Sequence, residues 1–153
     1  MRTRRNKAFT LVEILIVVVI LGILAAIVVP QFANATKDSQ AGNLKAQIKE
    51  IQNQLELFRA REGAYPTMAQ LTADPTSGAP GGWGAMIDGG YLKAAPKNPA
   101  MSPQKSDVAA GTFDASTGQM DGDGASAWAY DEATGDFGAN NFDEAAGTVR
   151  TGT

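Results

Sequence analysis

The stretch from Phe9 to Pro30, FTLVEILIVVVILGILAAIVVP, limits what this chain can fold into more than any other. Between Glu13 and Gln31 lie 17 residues with no charge and no amide side chain. A helix of that length and composition is at the short end of what crosses a bilayer. The residues before it, MRTRRNKA, carry Arg2, Arg4, Arg5 and Lys7 and no acid. A basic flank beside an apolar run predicts an N-terminus held in the cytoplasm, with the rest of the chain passed across the membrane. Glu13 breaks the pattern at the edge of the run. A carboxylate drawn into lipid costs roughly 2.5 kcal/mol or more, so it requires a partner. An ordinary secretory signal peptide has a similar basic start, and Ala33-Asn34-Ala35 would serve as its cut site. The apolar run is longer than a typical signal core, however, an acid sits at its start, and a helical pattern continues past Ala35.

That pattern is a stripe. Leu44, Ile48, Ile51, Leu55 and Phe58 step by four, three, four and three, the period of one helix face. The other faces carry Lys45, Lys49, Glu50, Gln52, Gln54, Glu56, Arg59 and Arg61. Gly63 supplies a stop and Pro66 prevents resumption nearby. The steps are also heptad-like, but two heptads are few for a coiled coil and a domain follows. The stripe is therefore expected to pack on that domain. Unbroken, a helix from Phe9 to Glu62 would run about 80 Å. Pro30 removes one of its backbone hydrogen bonds, and Gly22 and Gly42 weaken it further, so the 22–42 region is expected to be its soft part.

The remainder holds few large apolar residues. Met68–Ala73 reads as a short helical turn capped by Thr67. DPTSGAPGGWG, residues 74–84, is a loop by composition, with Trp83 as a lid on a small core. Residues 100–126 read as a long loop or variable insertion. Ala127–Asp131 and Asp136–Asn140 alternate large and small residues around a turn, which predicts a β-hairpin. The tail from Asn141 to Thr153 is small and polar and is expected to fray. The expected core is the helix stripe with Met86, Tyr91, Leu92, Trp128, Tyr130 and Phe137.

Charge and composition exclude several functions. The chain has 13 basic and 16 acidic residues; without residues 1–8, nine basic residues remain and the net charge is −7. So acidic an exported part is a poor match for nucleic acid. There is no cysteine, hence no disulfide, and no histidine, the commonest general base and transition-metal ligand. No phosphate-binding glycine loop or nucleophile motif appears, so an enzyme is not expected. Asp121-Gly122-Asp123-Gly124 offers oxygen ligands suited to calcium, although the full twelve-residue loop pattern is absent. Asp107, Asp114, Asp121, Asp123, Asp131, Glu132 and Asp136 follow one another with no intervening base, which usually marks a solvated acidic surface.

KAFTLVEILIVVVILGILAAIVVPQF resembles the N-terminal signature of type IV pilins and type II secretion pseudopilins. The resemblance implies cleavage between Ala8 and Phe9, methylation of the new Phe9 amine, retention of Glu13 for assembly, and a helix-distorting proline at Pro30. The family usually has Gly before the cut, where this chain has Ala8. GYLKAAPKNP is similar to the pseudopilin layout, and WAYDEATGDFGAN looks like the terminal hairpin of pilin-like proteins. The implied fold is α+β and type IV pilin-like, a long N-terminal helix packed on a small antiparallel sheet. The implied parts are a cleaved leader (1–8), a transmembrane and polymerisation helix (9–30), an amphipathic helix (31–62) and a periplasmic or extracellular domain (63–153). The implied partners are copies of the chain, related minor pilins or pseudopilins, a prepilin peptidase, an inner-membrane assembly platform and lipid. Major pseudopilins also carry a calcium site near the C-terminus, which strengthens the expectation at Asp121 and Asp123. The function expected is a structural subunit of a pseudopilus or pilus, single-pass in the inner membrane before assembly. The alternative is a membrane-anchored or secreted acidic binding domain that does not polymerise.

Overall fold

The computed structural model describes residues 9–114 and 119–149. Helix α1, Leu11–Glu62, has continuous helical backbone through Gly22, Pro30 and Gly42. The chain forms two compact units, one ending at Thr36 and one beginning at Lys37.

In the first unit no described residue covers the helix. Every large apolar side chain from Leu11 to Val29 is at least 40% exposed. Because the described residues leave this surface uncovered, lipid or other helices must cover it. By length and composition this is the one described helix suited to crossing a membrane.

In the second unit the predicted stripe is buried: Leu44, Ile48, Ile51, Leu55 and Phe58 all face the core, and Ala41 extends it by one turn. Gly63, at φ +84, ends the helix, and its N–H donates to the Arg59 carbonyl at 2.9 Å. That left-handed C-terminal cap favours glycine, which has no Cβ to clash. Helix α2, Met68–Thr72, starts at the expected Thr67, whose hydroxyl accepts from Gln70 N–H while the Gln70 side chain accepts from Thr67 N–H. Helix α3, Gly84–Asp88, follows Trp83. Trp83 is fully buried and its indole N–H donates to the Ser106 carbonyl at 2.7 Å, so it belongs to the core that it was expected to cover.

The sheet has order β1-β4-β5. Strands β4, Trp128–Tyr130, and β5, Phe137–Ala139, form the predicted antiparallel hairpin, with Tyr130 opposite Phe137. Strand β1, Val108–Ala110, adds parallel to β4. Strands β2, Thr112–Asp114, and β3, Gln119–Asp121, form a second antiparallel pair. Residues 100–126 are therefore not simply a loop. Their strands escape the sequence pattern because each is three residues long and β2 is exposed throughout. The tail also differs from expectation: β6, Phe142–Asp143, pairs with β7, Thr148–Val149, and Phe142 is buried. The last residues, 150–153, lie outside the described ones.

The core gathers around Phe137. Trp83 meets it edge-on at 5.7 Å and Trp128 stacks on it at 5.3 Å. Successive strand residues face opposite ways. Trp128 and Tyr130 point one way, and Ala129 the other, yet all three are buried. The β2–β3 side explains this: a Cβ on Gly138 would lie 2.6 Å from Met120 Cγ, and one on Gly111 or Gly122 would lie 2.8 Å from Ala129 Cβ. The small residues of the hairpin are small because a further layer presses on them.

Glu144 lies over the same glycine, its Oε1 2.6 Å from where a Gly138 Cβ would stand. That oxygen is buried and has no hydrogen-bond partner among the described residues. Burial, then the Asp136 charge, push the carboxyl pKa up. A raised carboxyl pKa means the folded chain holds this proton more tightly than the unfolded one. The associated stability is complete below the ordinary carboxylate range and is lost as pH rises through the folded value. Glu144→Gln is expected to raise the melting temperature at about pH 7 and to leave it unchanged at about pH 4, read by thermal unfolding in detergent. Gly135, at φ +81, carries a tighter constraint: a Cβ there would lie 2.2 Å from the Tyr65 ring, whereas Gly124, at φ +68, has nothing within 4 Å. Gly124→Ala should cost about 1 kcal/mol from its left-handed backbone. Gly135→Ala should cost about 3 kcal/mol, because overpacking adds to the same backbone term; equal losses in denaturant unfolding would contradict this packing.

Candidate assembly site at the helix N-terminus

Three hydrogen bonds define the head of α1. Glu13 Oε2 accepts from Thr10 N–H at 2.8 Å and from Thr10 Oγ1–H at 2.9 Å. Glu13 N–H donates to Thr10 Oγ1 at 3.2 Å. The Thr10 carbonyl accepts from Ile14 N–H at 3.4 Å, the first bond of the helix. This is a capping box: the residue before the helix and the third residue within it satisfy each other's amides. The carboxylate also sits at the positive end of the helix dipole.

Thr10 is the residue the sequence reading missed. Its signal, Thr-x-x-Glu before an apolar run, is present in TLVE. Glu13 is thus already bonded within its own chain, through one oxygen. Its other oxygen, Oε1, has no partner among the described residues. Phe9 is 80% exposed. Pro30 stands inside the helix. Ala8, the other side of the expected cut, lies outside the described residues.

The two acids singled out for calcium behave differently from each other. Asp121 ends β3 and is exposed. Asp123 forms a turn: Oδ1 accepts from Ser126 N–H at 2.8 Å and Ala125 N–H at 3.0 Å, and Oδ2 accepts from Ser126 Oγ–H at 2.8 Å. The Ser126 N–H, against a smaller effect of burial, helps hold its pKa below the usual carboxylate value. Among the described residues no three acids are grouped to hold an ion. Other acids of the run make similar local bonds. Asp107 accepts from Ala127 N–H, Asp131 from Ala133 N–H, and Glu132 caps α2 through Met68 N–H at 2.7 Å. They shape turns as well as carrying surface charge.

A cavity of about 550 Å³ between α1 and residues 92–104 has Glu50 and Lys97 as its charged lining. It holds no pairing of nucleophile and base, and the apolar helix with its capped head is the surface that calls for partners.

The prokaryotic N-terminal methylation motif matches residues 3–29. The family of type II secretion system protein G matches residues 31–127. The chain belongs to the type II secretion system protein G family. It is similar to the type II secretion system core protein G of Pseudomonas aeruginosa, 39% identical over 108 residues, 67% of this chain and 74% of that one. The core protein G of Aeromonas hydrophila is 36% identical over 107 residues, 67% of this chain and 73% of that one. The type IV narrow pilus major component PilA5 of Thermus thermophilus is 36% identical over 78 residues, 51% of this chain and 67% of that one. No solved structure matches. Membership makes the chain a structural subunit of a pseudopilus or pilus and not an enzyme.

Replacing the cap tests its geometry. Thr10→Val is expected to cost about 1 kcal/mol at the first turn of α1. Hydrogen exchange in micelles should show faster amides at Leu11 to Ile14, with Thr10→Ser near the parent.

Proposed function

We propose that this chain is a pseudopilin of a type II secretion apparatus. It enters the inner membrane once, with residues 1–8 in the cytoplasm. A prepilin peptidase then cuts between Ala8 and Phe9, and the Phe9 amine is methylated. An inner-membrane platform lifts the processed chain into a fibre of its own copies, joined by related minor pseudopilins. The observation that carries this is the pairing of a protein G family match over 31–127 with an uncovered apolar helix headed by a carboxylate.

The mechanism is an exchange of surroundings. Lipid satisfies the apolar side chains before assembly, and the helices of other copies satisfy them afterwards. Glu13 governs register. Its Oε2 is occupied by Thr10, which aims the carboxylate and leaves Oε1 for a cation. The Phe9 amine of the neighbouring copy supplies that cation. A subunit out of register leaves a buried charge unpaired, at a cost of about 3–5 kcal/mol. The similarity to PilA5 favours a second reading, a pilus at the cell surface. Electron microscopy that locates the fibre, with an assay of secreted enzymes, separates the two.

Glu13→Gln and Glu13→Ala are expected to insert in the membrane normally and to lower fibre yield about tenfold or more, because the amine is then buried alone. Normal yield from either variant would reject the role. Mass spectrometry of the parent chain should find methyl-Phe9 as its first residue; a chain beginning at Thr36 would instead support the secreted domain.

A further inference from the structure

Calcium is the ligand that the acidic Gly-Asp segment and the resemblance lead one to expect, and the turn at Asp123 is where to test the fit. Calcium takes six to eight oxygens, drawn from carboxylates and backbone carbonyls. The turn entering β4 offers such atoms, but nitrogen donors already hold them. Lys105 Nζ donates to the Ala125 carbonyl at 2.8 Å. Asn140 Nδ2 donates to the Ser126 carbonyl at 2.8 Å and reaches Asp123 Oδ1 at 3.4 Å. Asn98 Nδ2 donates to the Ala127 carbonyl at 2.8 Å and to the Asn140 carbonyl at 3.0 Å. Both oxygens of Asp123 are engaged by the turn's own N–H and O–H groups.

Three consecutive carbonyls, 125 to 127, therefore each have a side-chain donor. Two of those donors are anchored: Asn98 is fully buried, and Asn140 is 6% exposed. Asn98 is fixed in turn, since its N–H donates to the Lys105 carbonyl at 2.9 Å and its Oδ1 accepts from Ala100 N–H at 2.8 Å. The same backbone bond ties Lys105 to the network. The ammonium thus brings a positive charge to a turn whose carboxylate is Asp123, and its field acts on that carboxylate.

We propose that Lys105, with Asn98 and Asn140, locks this turn in place of a metal, so that the fold of this chain does not depend on calcium. A calcium ion would have to displace an ammonium and at least two amide N–H groups to reach the same oxygens. Loss of those bonds offsets the gain from ligation. The inference concerns the single folded chain, and a monomer in micelles tests it without any fibre. Its failure is therefore distinct from failure of the assembly role.

The experiment is thermal unfolding of the full chain in detergent, followed by fluorescence of Trp83 and Trp128, both fully buried. It is run with chelator, with millimolar calcium, where extracellular sites fill, and with magnesium. The parent chain is expected to melt at the same temperature in all three. Lys105→Met is expected to melt about 2–4 °C lower in all three, with Lys105→Arg between it and the parent. Asp123→Asn should lose stability equally with chelator and with calcium. A parent midpoint that rises with calcium but not magnesium overturns the proposal. So does a Lys105→Met chain that melts like the parent in chelator. Should Asp123→Asn fail to fold, the Lys105 pair and the parent titration still decide.

Discussion

The first unit's helix is a surface with no inside. From Leu11 to Val29 its large apolar side chains find nothing to pack on among the described residues. Each buried methylene is worth about 0.8 kcal/mol, so water is not a tenable neighbour for this rod. It must lie in lipid or among its own kind, and the rest of the molecule follows from managing that condition. The charge at its head, the division of the chain after Thr36 and the compact second unit all fit a subunit that changes solvent without refolding.

A single carboxylate organises the head of the helix. Glu13 closes the free amides at the start of α1 through Thr10. Closing them lowers the cost of placing a helix end near lipid, where an unmet N–H is expensive. The same bonds fix the carboxylate's direction. A side chain with free rotamers would lose entropy on meeting any partner; this one has already been ordered by its own backbone.

What the sequence disclosed follows the strength of each pattern. The stripe from Leu44 to Phe58 was legible because five residues kept one period over four turns. Thr67 and Gly63 were legible as punctuation, each with a mechanism. The strands at 108–110, 112–114 and 119–121 were not, because three residues cannot display a period. Ala129 and Gly138 show what the alternation left open. Small residues alternating with aromatics look like a solvent face, yet here they mark where Met120 closes over the sheet. At the site, the acid at Glu13 was conspicuous in an oily run, whereas Thr10 was masked by that run. Asn98 and Lys105, distant in sequence from the turn they secure, left no local signal at all.

The outer edge of the sheet has a consequence for life in a crowd. The Phe137 carbonyl on edge strand β5 is taken by the Gln52 side chain of α1 at 3.2 Å. Exposed strand edges invite a neighbour to add its own strand, and stacking of that kind is hard to undo. With edge strands only three residues long and that carbonyl already answered, copies crowded side by side have little to zip together. Contact between copies is left to the apolar rods.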